Sequence, residues 1–143
     1  MEYRVGRLGR VVAARLFEGE DLHECVAKIA RQEGIRAGAV LITGGFRQAQ
    51  VAVGPQQEVP KIVPDRREFL GPGEVLGVGT IYPGEQGPSL HIHTGIGKGD
   101  KTVVGCPRAA TTFLVLEVTI IEMDGIDGHR ELDPDKGVRL LRF

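Results

Sequence analysis

The chain has 143 residues, and its 18 Lys and Arg residues against 19 Asp and Glu residues give a formal net charge of -1. This length predicts one domain, residues 1–143, that can bury enough apolar surface to fold without disulfides. The balanced charge excludes a general attraction to nucleic-acid phosphates or to acidic membranes, although a local basic patch is compatible with it.

The two cysteines, the first residues and the apolar runs predict the cellular compartment. Cys25 and Cys106 form no CxxC pair, so a secreted disulfide framework is not expected. The first residues lack the basic-then-apolar layout of a signal peptide, and no apolar run reaches the roughly 18 residues of a membrane span. We therefore expect a cytoplasmic protein that does not enter a membrane.

One helix is predicted, at about residues 21–33. It follows one or two strands that end near Phe17. Asp21 can cap the start of the helix, and Gly34 is placed for a left-handed stop. His23, in the first turn, is expected to be exposed. The helical spacing of apolar residues is carried by Leu22, Cys25, Val26, Ile29 and Ala30.

The rest of the chain is typical of β-structure. "AGAVLITGGFRQAQVAVG" predicts strand, bend and strand, and "PQQEVPKIVPDRREFLGPG" predicts mainly a loop or an edge excursion. "EVLGVGTIYPG", "SLHIHTGIG", "KTVVG" and "TTFLVLEVTIIEM" predict four strands, and "GVRLLRF" a last one after the acidic, glycine-rich loop "DGIDGHRELDPDKG". The expected fold is α+β: a mostly antiparallel or mixed sheet of about seven strands, packed with one main helix.

His91 and His93 are the residues whose spacing suggests chemistry. On a strand they share one face and lie about 6.6 Å apart along the chain, so both rings could bind one ion at about 2.0 Å. A metal site requires a third donor, and Cys106 is the first choice because a hairpin at "TGIGKGDKT" would return it to the same end of the sheet. A His-His-Cys set favours zinc among divalent metals.

Two alternatives remain open at this point. The third donor could instead come from Asp100, Glu117, Glu122 or His129, which the spacing does not rank. The histidines could also form an ordinary polar strand face, with Cys106 as a small buried hydrophobe.

The pattern resembles the plant and prokaryote conserved (PPC) domain over most of the chain. The resemblance rests on "LFEGEDLHECVAKIARQEGIRAGAVLITGGFRQAQV", "GEVLGVGTI", "LHIHTGIG" and "VVGC" before "LVLEVTIIE". It implies a compact α+β fold that assembles as a trimer, with the histidines facing a cleft that holds a metal, typically zinc, in some prokaryotic members. Many members have "GGH" where this chain has Gly105-Cys106-Pro107, so either Cys106 replaces the third ligand or that position is vacant.

The family is often described as predicted to bind DNA, because plant members join the domain to AT-hook segments. The closest segment here, "GRLGR", lacks the Arg-Gly-Arg-Pro core that enters a narrow minor groove. A possible basic stripe on the first strand, which could equally be a solvated face, consists of Arg4, Arg7, Arg10 and Arg15.

Together with the trimer that the resemblance implies, the residue pattern favours a homotrimer whose subunits bind a metal through His91, His93 and Cys106, with water or a small anion at the metal. An activated water would allow hydrolytic or lyase-like chemistry, for which Glu117 and Glu122, on opposite strand faces, are the general bases to test. The alternatives are a DNA-binding or regulatory module and an interaction scaffold without enzymatic activity.

Overall fold

The computed structural model describes all residues 1–143 and contains seven strands and one helix. In chain order they are β1 (Arg7–Phe17), α1 (Leu22–Glu33), β2 (Gly38–Gln57), β3 (Val63–Gly84), β4 (Gly87–Lys98), β5 (Lys101–Asp124), β6 (His129–Asp133) and β7 (Val138–Arg142). The predicted α+β class, with one main helix on a mixed sheet of about seven strands, is confirmed.

Four long strands form a closed ring of antiparallel pairs. β2 pairs with β3, β3 with β4, β4 with β5, and β5 with β2. β1 extends the sheet from the far side of β5, and the β6–β7 hairpin joins it through a single parallel bridge between Gly84 and Arg130. Closure of the ring leaves few unpaired strand edges among its members, which limits edge-to-edge association.

The inner face of this sheet and the helix share one apolar core. Alternation along the strands places Val40, Ile81, Ile92 and Leu116 inside, each at most 1% exposed. Asp21 caps the helix by accepting from the backbone N–H groups of His23 and Glu24 at 2.8 and 3.0 Å. Gly34 ends it in the left-handed conformation, with φ of 68°.

The C-terminal hairpin covers part of the outer face of the sheet. Tyr82 points outward from β3 but is only 4% exposed. Phe143 meets its ring edge-on, with centroids 6.4 Å apart, and the chain at Gly128 lies close to the same ring. The hairpin therefore packs beside the outward-facing residues of β3 and β4.

Several local predictions were wrong. The segment from Val63 to Gly73 belongs to β3 rather than to a loop, and "KTVVG" and "TTFLVLEVTIIEM" form one strand, β5. The supposed acidic loop contains β6, and His23 is partly buried rather than exposed. In each case long-range pairing or packing decided the structure. No helix of the protein has both the length and the apolar character needed to cross a membrane.

Candidate metal centre

The β3–β4 pairing positions the two histidines on the outer face of the sheet. His91 lies opposite Thr80 and His93 opposite Val78, while Ile92 between them points inward and is fully buried. The two imidazole rings lie with centroids 5.1 Å apart and planes at 78°. The predicted strand, and the shared face of its histidines, are therefore confirmed.

The hairpin between β4 and β5 brings Cys106 back to these histidines. Lys98 pairs with Lys101 across the turn, and the ladder runs back as far as Thr94 opposite Gly105. One further step would set Cys106 beside His93, on the outer face, because successive residues alternate between faces. Cys106 is only 6% exposed there. The potential ligand atoms of His91, His93 and Cys106 all lie within 4.8 Å of one another.

These donor atoms have few competing partners within the protein. Neither imidazole takes part in a side-chain hydrogen bond, and the Cys106 thiol makes only a long 3.9 Å contact to the carbonyl of Pro107. Burial, followed by the positive charge of Arg130, lowers the pKa of His91 from 6.5 to about 4. His91 is therefore neutral at pH 7 and keeps a nitrogen lone pair for a metal, as binding requires.

The donor set fits a zinc-type ion. Ligand distances of about 2.0 Å for nitrogen and 2.3 Å for sulfur put tetrahedral donors about 3.4 Å apart. Small side-chain rotations would therefore be enough to close the observed group around an ion. Three protein donors leave a fourth position open, which is the arrangement of sites that take water or a ligand.

The other donors considered from the sequence lie outside this group of atoms. Glu122 pairs with Arg10 at 2.8 Å, and His129 contacts Glu131 at 3.3 Å. Glu117 shares the outer face, but the register runs from it through Thr43 and Leu76 to β4. Its neighbours in the sheet are therefore Arg15 of β1 and Thr43 of β2, and no residue of β4 lies directly beside it. Asp100 occupies the β4–β5 turn.

A further residue beside the candidate site, which the sequence pattern did not indicate, is Arg130. It starts from β6, is only 6% exposed, and its Nη2 donates to Thr80 Oγ1 at 2.7 Å. Thr80 is the cross-strand neighbour of His91, so the guanidinium lies beside the metal-ligand group. The sequence showed only a short "HRE" within an acidic loop, which gave no sign that the hairpin would fold over the sheet.

The chain as a whole matches a known protein family. The model of the Plants and Prokaryotes Conserved (PCC) domain matches residues 3–124. The chain belongs to this family, as its sequence resemblance to the PPC domain implied. No curated protein matches the chain.

Solved structures share the fold. A metal-containing protein from Archaeoglobus fulgidus is 23% identical, with 100% of each chain covered and a TM-score of 0.89. A plant- and prokaryote-conserved (PPC) protein from Pyrococcus horikoshii is 21% identical, with 100% of this chain and 98% of that chain covered and a TM-score of 0.87. A candidate DNA-binding protein from Ralstonia eutropha is 18% identical, with coverages of 92% and 90% and a TM-score of 0.77.

Proposed function

We propose that this protein is a cytoplasmic, metal-binding homotrimer that holds zinc, or another divalent metal, through His91, His93 and Cys106. The observation that carries the proposal is the convergence of the three donor atoms within 4.8 Å of one another. The metal-containing description of the similar Archaeoglobus fulgidus protein is consistent with it. The open fourth position would take water or a small anion, and the bound ion would act there as a Lewis acid.

Self-association is supported by an apolar face around the site. Exposed apolar side chains surround His93 on the outer face: Leu76, Val78 and Val104 are 69%, 65% and 63% exposed, and Leu41 is 42% exposed. The register makes these residues neighbours, because Val78 lies between Leu41 and His93, and Gly95 lies between Leu76 and Val104. Contiguous exposed apolar surface of this kind marks protein–protein contacts. The proposed trimer would bury this face and shield the metal.

A cobalt substitution tests the role of Cys106. Cobalt(II) reports thiolate ligation by an intense near-ultraviolet band, and the parent protein should develop that band as one equivalent per chain is added. Cys106→Ser should lose the band and weaken zinc binding at least tenfold, because a thiolate is the softest of the three donors. Cys25→Ser, on the helix, is the matched control and should keep both properties. An unchanged band in Cys106→Ser would remove Cys106 from the site.

DNA binding is the alternative function. Part of the basic stripe on β1 is neutralised, because Arg10 pairs with Glu122 at 2.8 Å and with Glu33 at 3.4 Å. Arg15 lies over the ring of Phe17, with its Cζ 4.8 Å from the ring centroid. Duplex binding that falls steeply with added salt would support this alternative, since contacts to phosphates release counterions.

A further inference from the structure

Arg130 is a buried charge without a countercharge. It is only 6% exposed, and it belongs to none of the ion pairs of the protein. Its one side-chain hydrogen bond is the 2.7 Å contact from Nη2 to the neutral hydroxyl of Thr80, and its Nε is buried without a partner. A neighbouring ring adds only a weak contact, with the Arg130 Cζ 5.7 Å from the centroid of Tyr82.

Burial of a charged guanidinium in this way costs free energy of folding unless a further group pairs with it. A guanidinium carries five N–H donors in a rigid fork that matches a carboxylate or a phosphate, and burial without a partner leaves its desolvation uncompensated. Burial also lowers the pKa of Arg130. By contrast, the arginines that pair with acidic groups, such as Arg139 with Glu85 at 3.2 Å, keep much of their side chains exposed, from 40% for Arg142 to 65% for Arg67. Arg130 therefore differs from these arginines, because its side chain is buried and has no acidic partner.

The position of Arg130 indicates where an anionic group could bind to it. Thr80, which holds Nη2, lies directly opposite His91 in the β3–β4 ladder. Arg108 lies two residues after Cys106 on β5, is exposed, and takes part in no ion pair. The positive charge of Arg130 therefore lies beside the candidate metal donors, and a bound divalent ion would add to it. This electrostatic field attracts anions.

We propose that Arg130 and the metal at His91, His93 and Cys106 form a two-point receptor for a small oxyanion that bears a carboxylate or a phosphate group. The guanidinium fork of Arg130 would bind one oxygen of the ligand, and a metal held by the three donors would bind its neighbouring oxygen. The inference rests on the proposed metal function, but Arg130 itself lies outside residues 3–124, the part that the family model matches.

Calorimetric titration with two probes tests the receptor. Inorganic phosphate and acetate are titrated separately into zinc-loaded and metal-free protein, so that the two arms distinguish phosphate from carboxylate recognition. The zinc-loaded parent should bind at least one probe, and Arg130→Gln should weaken that binding about 10- to 100-fold, as expected for loss of charge-assisted hydrogen bonds. Zinc content should stay unchanged. Arg139→Gln, at an exposed ion pair, is the control and should bind like the parent.

The outcomes separate this inference from the metal proposal. Equal probe binding by the parent and Arg130→Gln, both loaded with zinc, would overturn the receptor and leave the metal site standing. Failure of the zinc-loaded parent to bind either probe would also overturn it. Conversely, phosphate binding by metal-free parent that is lost in Arg130→Gln would support the arginine subsite even if zinc failed to bind.

A second variant guards against a folding defect in Arg130→Gln. Thr80→Val removes the hydroxyl that holds Nη2 but keeps the charge, and it should weaken probe binding several-fold. Thermal unfolding adds an independent measurement: the probe should raise the melting temperature of the parent and not that of Arg130→Gln, because a ligand stabilises only the state that binds it. Equal stabilisation of both proteins would contradict the role of Arg130.

Discussion

Gly79→Ala tests how the fold positions the proposed metal ligands. Gly79 pairs with Ile92 and faces the core between β3 and β4. A Cβ at position 79 would lie 2.5 Å from the carbonyl oxygen of His91 and 2.7 Å from the Cα of Ile92. To restore ordinary van der Waals contact, the backbone that carries both histidines must move away by about 0.9 Å.

The expected cost follows from this displacement. Overpacking of a well-packed interior costs about 1–3 kcal/mol, and the melting temperature of a chain of this size falls by about 4 °C per kcal/mol. We therefore expect Gly79→Ala to lower the melting temperature by about 4 to 12 °C. Because β4 would shift relative to β5, zinc affinity should fall as well, at least tenfold.

The assay is thermal unfolding of metal-free protein at one fixed concentration, followed by zinc titration against a competing chelator. Gly97→Ala is the matched control, because Gly97 lies on β4, the strand that carries the histidines, and a Cβ there would meet nothing within 4 Å. The control should retain the stability and zinc affinity of the parent. A Gly79→Ala protein as stable as the parent, with unchanged zinc affinity, would refute the argument that close packing at Gly79 fixes the histidine strand.

Three further predictions concern the surface, a buried histidine and the core. Leu76→Asp places a charge on the exposed apolar face and should convert the proposed trimer to monomers in analytical ultracentrifugation. Leu132→Asp, also at an exposed position, should not, and a trimeric Leu76→Asp protein would exclude this face from the subunit contact. Burial lowers the pKa of His23 below 6.5 in the folded protein, so stability that is present above pH 6.5 is lost as the pH falls below that value. Between about pH 7.5 and pH 5, the melting temperature of metal-free His23→Gln should therefore fall less than that of the parent. Equal falls in melting temperature would contradict this role of His23. Ile92→Ala empties a fully buried position and should reduce the free energy of unfolding by about 2–5 kcal/mol in urea titrations, whereas a loss below about 1 kcal/mol would contradict its core role.

The sequence predicts those features that are encoded locally. The helix follows from its apolar spacing, and its bounds, Leu22–Glu33, agree with the expected 21–33 because Asp21 and Gly34 fix its ends. The shared face of His91 and His93 follows from the two-residue period of a strand, and the short turn at Gly99 and Asp100 returns Cys106 towards them.

Features that depend on long-range pairing could not be predicted in this way. The sequence predicts two strands where the structure has the single strand β5. This strand changes its partner near Cys106, from β4 to β2, without interrupting its extended conformation. Arg130 is 24 positions beyond Cys106, and only the folding of the C-terminal hairpin onto Tyr82 brings it beside His91. No local pattern encodes that docking, so the charge at the site became visible only in the structure.

The metal content of the purified, tag-free protein tests the central claim most directly. Plasma mass spectrometry should find about one zinc per chain in the parent and none in the His91→Ala/His93→Ala double variant, with both proteins folded by circular dichroism. A parent that holds no metal, even after zinc loading and dialysis, would contradict the account, as would a double variant that retains the same zinc content as the parent.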